Sequence, residues 1–247
     1  MKAKSRSVEQ IIEEQVRRWQ FSVAKPKSET FFRPTVTISR EPGSGGNVIG
    51  ERLAKRLSLE LFHQEVIHGM AKSAKVSAQL LETLDERGLS VLEDWMAYLV
   101  DFRHMWPDQY IKHLMRVIGA IGRHGNAILI GRGANFILPS ERRFSVRVIA
   151  PFEVRVTNVA RNYQVTETEA RKRITKTDSE RRAFIRKYFN TSVADPLNYD
   201  MVVNTGSVSI DGAVESIAGF LGMQAAEKKA SMGQTPDQTT AFTAERA

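Results

Sequence analysis

The sequence predicts an α/β fold in three layers, with helices on both sides of a five-stranded parallel sheet, and three observations lead there. Residues 35–39, 59–62, 127–130, 144–149 and 201–203 form short, almost continuously apolar runs, as strands buried on both faces do. Helical spacing fills the intervals, at 48–57, through a long region from about 65 to 123, and at 152–163, 166–189 and 209–221. Strand and helix therefore alternate, the pattern of a parallel sheet with helical crossovers. With 247 residues, 42% of them hydrophobic and 26% charged, the chain can bury one substantial core without a metal or disulfide.

In such sheets ligands sit beyond the carboxyl ends of the strands. That rim collects the glycine cluster after the first strand, the Gly131-Arg132 turn after the third and whatever follows Ile149. The first run enters Gly43-Ser44-Gly45-Gly46 and a helical pattern leaves it, so backbone N–H groups and a helix start can approach an anion there. In the register of a G-x-x-x-x-G-K-[ST] loop, Arg40 stands at the first glycine, Gly45 at the second, Gly46 at the lysine and Asn47 at the hydroxyl residue. The cradle is kept and the lysine is not. A tight strand-to-helix turn without a ligand is the competing reading of this stretch alone. Arg132, between two glycines straight after a buried strand, places a guanidinium on the same rim, where its fork of donors suits a phosphate. An arginine paired to a neighbouring acid is the alternative.

The third motif is the helical stretch from 166, which Thr166 and Glu169 start as a capping box. Its Arg171, Arg182 and Arg186 share a helix face and so qualify as a polyphosphate clamp, while Asp178 and Arg181, three apart, can pair with each other. Nine cations fall between 161 and 187, which is also how a solvated helix face looks.

Beyond this domain, assigned to residues 31–224, two segments stand apart. Residues 1–30 read as a helical appendage: Ser7 to Gln10 is a capping box, and Val8, Ile11, Ile12, Val16 and Trp19 recur at helical spacing before a Lys25-Pro26 break. Docking on the body, self-association or a protein partner is the expected use of that face. Residues 225–247, rich in Gln, Thr, Ala and Lys, are expected to be disordered.

The net charge of +8 allows an anionic partner without choosing one. With no cysteine, disulfide and thiolate chemistry are both excluded. No secretory apolar core and no window near the roughly 18 apolar residues of a membrane span is seen, so a cytoplasmic, membrane-free protein is expected. The five histidines show no metal-ligand spacing, and no protein-held metal site is expected. Core packing is the first reading of Trp95, Tyr98, Trp106 and Tyr110, and stacking on a base is the second.

The stretches ISREPGSGGNVIGERLA from Ile38, GNAILIGRGANFIL from Gly125, TDSERR from Thr177 and DPLNYDMVVN from Asp195 together resemble the cytidylate kinase-like family, a branch of the nucleoside monophosphate kinases among P-loop NTPases. The resemblance spans residues 35–221 and makes the missing lysine a trait of the group. It implies a nucleotide-binding lobe after the second strand and an arginine-bearing lid before the last. It also implies that Gly43, Ser44, Gly45, Gly46 and Asn47 face the donor phosphates of ATP, that Arg132 faces the acceptor phosphate, and that Asp178, Arg181 and Arg182 lie on the lid side. Arg40 is the nearest substitute for the lysine charge. Two positions depart from the pattern: His63 and Gly133 stand where acceptor-side aspartates are usual, so cytosine specificity is not implied. The leading expectation is transfer of a phosphoryl group from ATP with Mg2+ to a nucleoside monophosphate, CMP, dCMP or a relative. A catalytically silent nucleotide-binding module acting through a protein partner is the alternative. Nucleic acid is not an expected partner, because the basic stretch lacks interleaved aromatics and a known binding motif.

Overall fold

The computed structural model describes residues 34–84, 86–103 and 108–232, with Gln10, Glu14 and Arg17. The appendage helix expected before residue 30 therefore lies almost wholly outside the described residues. Five strands, β1 (Thr35–Arg40), β2 (Glu60–Phe62), β3 (Ala127–Ile130), β4 (Phe144–Ile149) and β5 (Met201–Asn204), form one sheet in the order β2-β3-β1-β4-β5. Every pairing is parallel, with Val36 opposite Ile128 on one side and Phe144 on the other.

The helices are α1 (Gly46–Leu57), α2 (Gln64–Lys72), α3 (Ala74–Leu81), α4 (Glu86–Arg103), α5 (Gln109–His124), α6 (Ala134–Ile137), α7 (Phe152–Tyr163), α8 (Glu167–Phe189) and α9 (Ile210–Met232). The stretch read as one long helical region is thus four helices. Capping side chains set two of its breaks: Ser73 accepts from the Val76 N–H and Asp108 from the Ile111 N–H. α9 runs through Met232, past the point where the sequence places the start of a disordered tail.

Alternation along the strands divides the core in two. Ile38, Ile128, Ile130 and Val146 pack with Ile49 and Leu53 of α1 and Ile217 of α9. On the opposite face, Ala127 and Leu129 pack with Leu114 and Ile118 of α5, Phe136 of α6 and Phe189 of α8. Each such side chain contributes about 1.5 to 3 kcal/mol when buried, so the sheet is a rigid floor for the loops on its rim. Among the described residues no helix is long and apolar enough to cross a membrane.

α8 follows from its ends. Thr166 accepts from the Glu169 N–H, Glu167 and Glu169 occupy the first turn, Arg186 and Lys187 the last, and Asn190 closes it in the left-handed region. Its buried residues, Ala170, Ile174, Ile185 and Phe189, lie on one face but leave a gap in the middle. That gap faces the rim of the sheet.

Candidate functional site

The loop after β1 is held from behind by its neighbours. Ser44 Oγ donates to the Glu41 carbonyl at 2.8 Å, Asn158 Nδ2 to the Gly43 carbonyl at 2.9 Å and Thr205 Oγ1 to the Ser44 carbonyl at 2.8 Å. Gly43, at φ 82°, packs so closely on α7 that a Cβ would lie 2.5 Å from the Arg155 carbonyl oxygen. The helix that follows has no side-chain cap and no acid in its first turn. Its leading N–H groups and positive dipole end are thus available to an anion.

The missing lysine has a steric counterpart. A Cβ at Gly46 would stand 2.5 Å from Arg40 Cβ and 3.1 Å from its Cγ. Arg40 therefore occupies the space into which a lysine at position 46 would start. Its guanidinium turns inward, donating from Nε to Asn47 Oδ1 at 3.1 Å and from Nη2 to Gln64 Oε1 at 2.9 Å. Burial first, then the charge of Arg181, pushes Arg40 down to about 9, with Arg132 and Arg147 adding to the fall and Glu65 opposing it. It remains cationic at pH 7.

Arg40 opens on a cleft of about 370 Å³ lined also by Arg132, Arg147 and Arg181. Arg132 sits in the left-handed region at φ 54° between Gly131 and Gly133, and its Nε reaches the Gln64 carbonyl at 3.5 Å. Arg181 Nη1 donates to the Arg40 carbonyl at 2.7 Å, tying α8 to the end of β1. Arg147 Nη1 donates to Ser39 Oγ at 2.8 Å, with Glu41 at 3.7 Å and the Tyr199 ring 5.9 Å from its guanidinium carbon. Burial also holds Arg181 below the ordinary guanidinium range, with Arg147 and Arg132 contributing and Asp178 opposing.

The expected site residues separate into two groups. Arg40, Arg132 and Arg181 converge on the cleft, while Gly43, Ser44, Gly45, Gly46 and Asn47 form the loop beside it. Arg182 turns away and lines a different groove with Arg186 and Asn190. The shared face of Arg171, Arg182 and Arg186 is the outer face of α8, where Arg171 is bound by Glu153 at 2.5 and 2.7 Å. One residue advances a helix by about 100°, so Arg181 points in and Arg182 out. Asp178 pairs with Arg155 of α7 at 2.8 Å and not with Arg181. His63, at the start of α2, approaches Glu51 at 3.9 Å, and its neighbour Gln64 lines the cleft instead.

Arg147, Gln64, Asn135, Glu41 and Arg155 escaped the sequence reading. For Arg147 a signal existed: within the apolar run of β4, Ser145 and Arg147 alternate with Phe144, Val146 and Val148, which places a cation on the face below α8. Glu41 and Arg155 gave none. The Glu41 carboxylate accepts from the Ala150 N–H at 3.2 Å and lies 3.5 Å from Arg155, so one buried arginine bridges the loop to Asp178 on α8.

Asn47 stands where a P-loop has its magnesium hydroxyl, and its oxygen already accepts from Arg40. Among the described residues no group of three or more His, Cys, Asp or Glu gathers to hold an ion.

A family model described as the cytidylate kinase-like family matches residues 35–207. The chain belongs to the cytidylate kinase-like family. It is similar to the cytidylate kinase of Ignicoccus hospitalis, at 27% identity over 187 residues covering 75% of this chain and 98% of that one. It is also similar to the cytidylate kinase of Sulfolobus acidocaldarius, at 21% identity over 187 residues covering 75% and 93%. A solved structure of an uncharacterized protein from Eubacterium ventriosum superposes with a TM-score of 0.57 at 19% identity, covering 76% of this chain and 98% of that one, a likeness of fold alone. The cytidylate kinase-like match begins at the first residue of β1 and ends just beyond β5, so it contains the loop and every cleft residue named above.

Proposed function

We propose that the chain is a nucleoside monophosphate kinase, transferring the γ-phosphoryl group of ATP to an acceptor phosphate. One observation carries this reading: the arginines of the cleft are anchored mainly by neutral oxygens. Asn47, Gln64, Ser39 and two backbone carbonyls hold one arm each, and Glu41 reaches Arg147 only at 3.7 Å. Such anchors orient a guanidinium without cancelling its charge. Two other arginines of α8 are instead paired with carboxylates, Arg171 with Glu153 and Arg173 with Glu169.

Four cations so placed match two phosphate groups brought together, each of which carries roughly two negative charges. The loop and α1 would hold the donor, with Arg40 and Arg181 at the transferred phosphoryl and Arg132 and Arg147 at the acceptor phosphate. An oxygen of the acceptor phosphate attacks phosphorus in line, the bond to the bridging oxygen of ADP breaks, and no proton has to move. Catalysis then rests on positioning and charge stabilisation. A hydroxyl acceptor would need a base, and among the described lining residues Glu180 is the only carboxylate. Magnesium enters as part of the MgATP substrate.

The test is a phosphoryl-transfer assay with MgATP against CMP, dCMP, UMP, AMP and GMP, run beside calorimetric titration of ATP. Turnover with at least one acceptor is expected, and Arg132→Ala should lower kcat/KM about 100- to 1000-fold while leaving ATP affinity nearly unchanged. A second reading, the silent nucleotide-binding module, is favoured by the self-satisfied bonds of Arg40 and the absent lysine. ATP binding with no turnover across the panel would establish it. No ATP binding would sink both.

A further inference from the structure

The buried stripe of α8 is interrupted between Ile174 and Ile185, and two polar contacts hold the helix there. Arg181 donates to the Arg40 carbonyl at 2.7 Å, and one turn earlier Asp178 accepts from Arg155 Nη1 at 2.8 Å. Arg155 comes from α7, and its side chain is only 8% exposed. On its other side stands the loop after β1. Glu41 lies 3.5 Å from the Arg155 Nε, which is buried without a hydrogen-bond partner, and the same carboxylate reaches Arg147 of the cleft at 3.7 Å. Among the described residues, Asp178 thus accepts the one hydrogen bond that this buried guanidinium makes. Such a pair is costly to break, because an uncompensated charge stays buried.

α7 backs the loop as well as α8. A Cβ at Gly43 would meet the Arg155 carbonyl at 2.5 Å, and Asn158, one turn on, donates to the Gly43 carbonyl at 2.9 Å. Val156 and Val159 of the same helix pack on Ala170 and Ile174 of α8. Arg155 therefore touches the donor loop with its backbone and the middle of α8 with its side chain. Thr177, Glu180 and Arg181 line the cleft, whereas Asp178, about 100° round the helix from Thr177, is turned to α7.

We propose that Arg155 and Asp178 are positioning residues for phosphoryl transfer: their ion pair sets α8 where Arg181 meets the transferred phosphoryl group, and ties that setting to the loop that holds the donor. This rests on the kinase reading above. Arg181 stabilises transition-state charge only if its guanidinium is already in place, and a displacement of about 1 Å can cost roughly 100-fold in rate.

The experiment uses the full chain and compares wild type, Asp178→Asn, Arg155→Lys and Arg155→Met, with Asp178→Asn also made in an Arg181→Ala background. Asp178→Asn is nearly isosteric, so the test does not hang on the survival of Arg155→Met. It should lower kcat about 10- to 100-fold, with the acceptor KM within a few-fold. In the Arg181→Ala background the same change should cost less than about threefold, because the residue it acts through is gone. Arg155→Lys, which keeps the charge facing Asp178, should retain more of kcat than Arg155→Met. Hydrogen exchange needs no turnover: Asp178→Asn should cost the backbone amides between Ile174 and Ile185 their protection, while Phe189 keeps its own. A risen acceptor KM with kcat unchanged would make Asp178 a substrate ligand and overturn the inference. So would equal losses of kcat in the two backgrounds, or protection in α8 that neither Asp178→Asn nor Arg155→Met alters. Absence of turnover in the wild type would instead be the failure of the kinase reading, and exchange would still decide whether the pair holds α8.

Discussion

Arg40→Met is expected to lower turnover about 100- to 1000-fold, the loss that follows removal of one preorganised donor to developing charge, and at the same time to raise the unfolding midpoint. The two effects share a cause. Arg40 is buried beside three other guanidiniums, and burial and the like charges hold it down at about 9. The folded state therefore binds this proton less tightly than the unfolded chain does. A guanidinium keeps its proton through the working pH range, so the folded state carries the full penalty of a buried cation at neutral pH. Methionine fills the space without a charge, and replacing a buried ion with an apolar side chain of similar size often stabilises. Chemical denaturation of both proteins at neutral pH should show the variant more stable. A variant that loses turnover and stability in parallel at neutral pH would mean that the bonds to Asn47 and Gln64 outweigh the burial of charge.

Gly46→Lys writes the P-loop lysine back into the sequence, and it is expected to damage the protein. The new Cβ would stand 2.5 Å from Arg40 Cβ, an atom fixed to the end of β1, with Val148 Cβ at 3.3 Å behind it. Overpacking of this kind costs about 1 to 3 kcal/mol, and it displaces the start of α1, where the donor phosphates would sit. ATP affinity should fall with stability. Because the obstacle is Arg40 itself, the same lysine should be tolerated better in Arg40→Gly, which also restores the first glycine of the loop. A double-mutant cycle on unfolding free energy should give a favourable coupling of about 1 to 2 kcal/mol, within the range for residues in contact. Additive effects would show that the two positions are independent and that the lysine was lost for some other reason.

Much of the fold was legible because burial on both faces leaves the strands as short, nearly continuous apolar runs. β3 and β4 and the helix at Phe152–Tyr163 stand where the pattern places them. The region from 65 to 123 was less legible: its breaks depend on Ser73 and Asp108 as caps, and a continuous helical period masks them. The site divides in the same way. Glycines and Arg132 are punctuated by their neighbours and can be found in one dimension, whereas Arg147 and Glu41 become site residues only when β4 lies beside β1. On α8 the inner face was marked by Ala170, Ile174, Ile185 and Phe189, and that stripe, followed in preference to the arginine spacing, selects Arg181 over Arg182.

The alternating order of strands and helices, the glycine cradle at the end of β1 and the family to which the chain belongs can all be read in one dimension, because each is written in local pattern and spacing. Which cations gather at the cleft is settled by packing and not by local pattern. A charge on a helix or strand acts through what stands opposite it, and whether Arg171 meets Glu153 while Arg40, Arg132, Arg147 and Arg181 meet one another is fixed by how distant segments pack. The loop without its lysine is the clearest case: Gly46 and Arg40 are six positions apart in the chain, yet in space one side chain fills the room of the other.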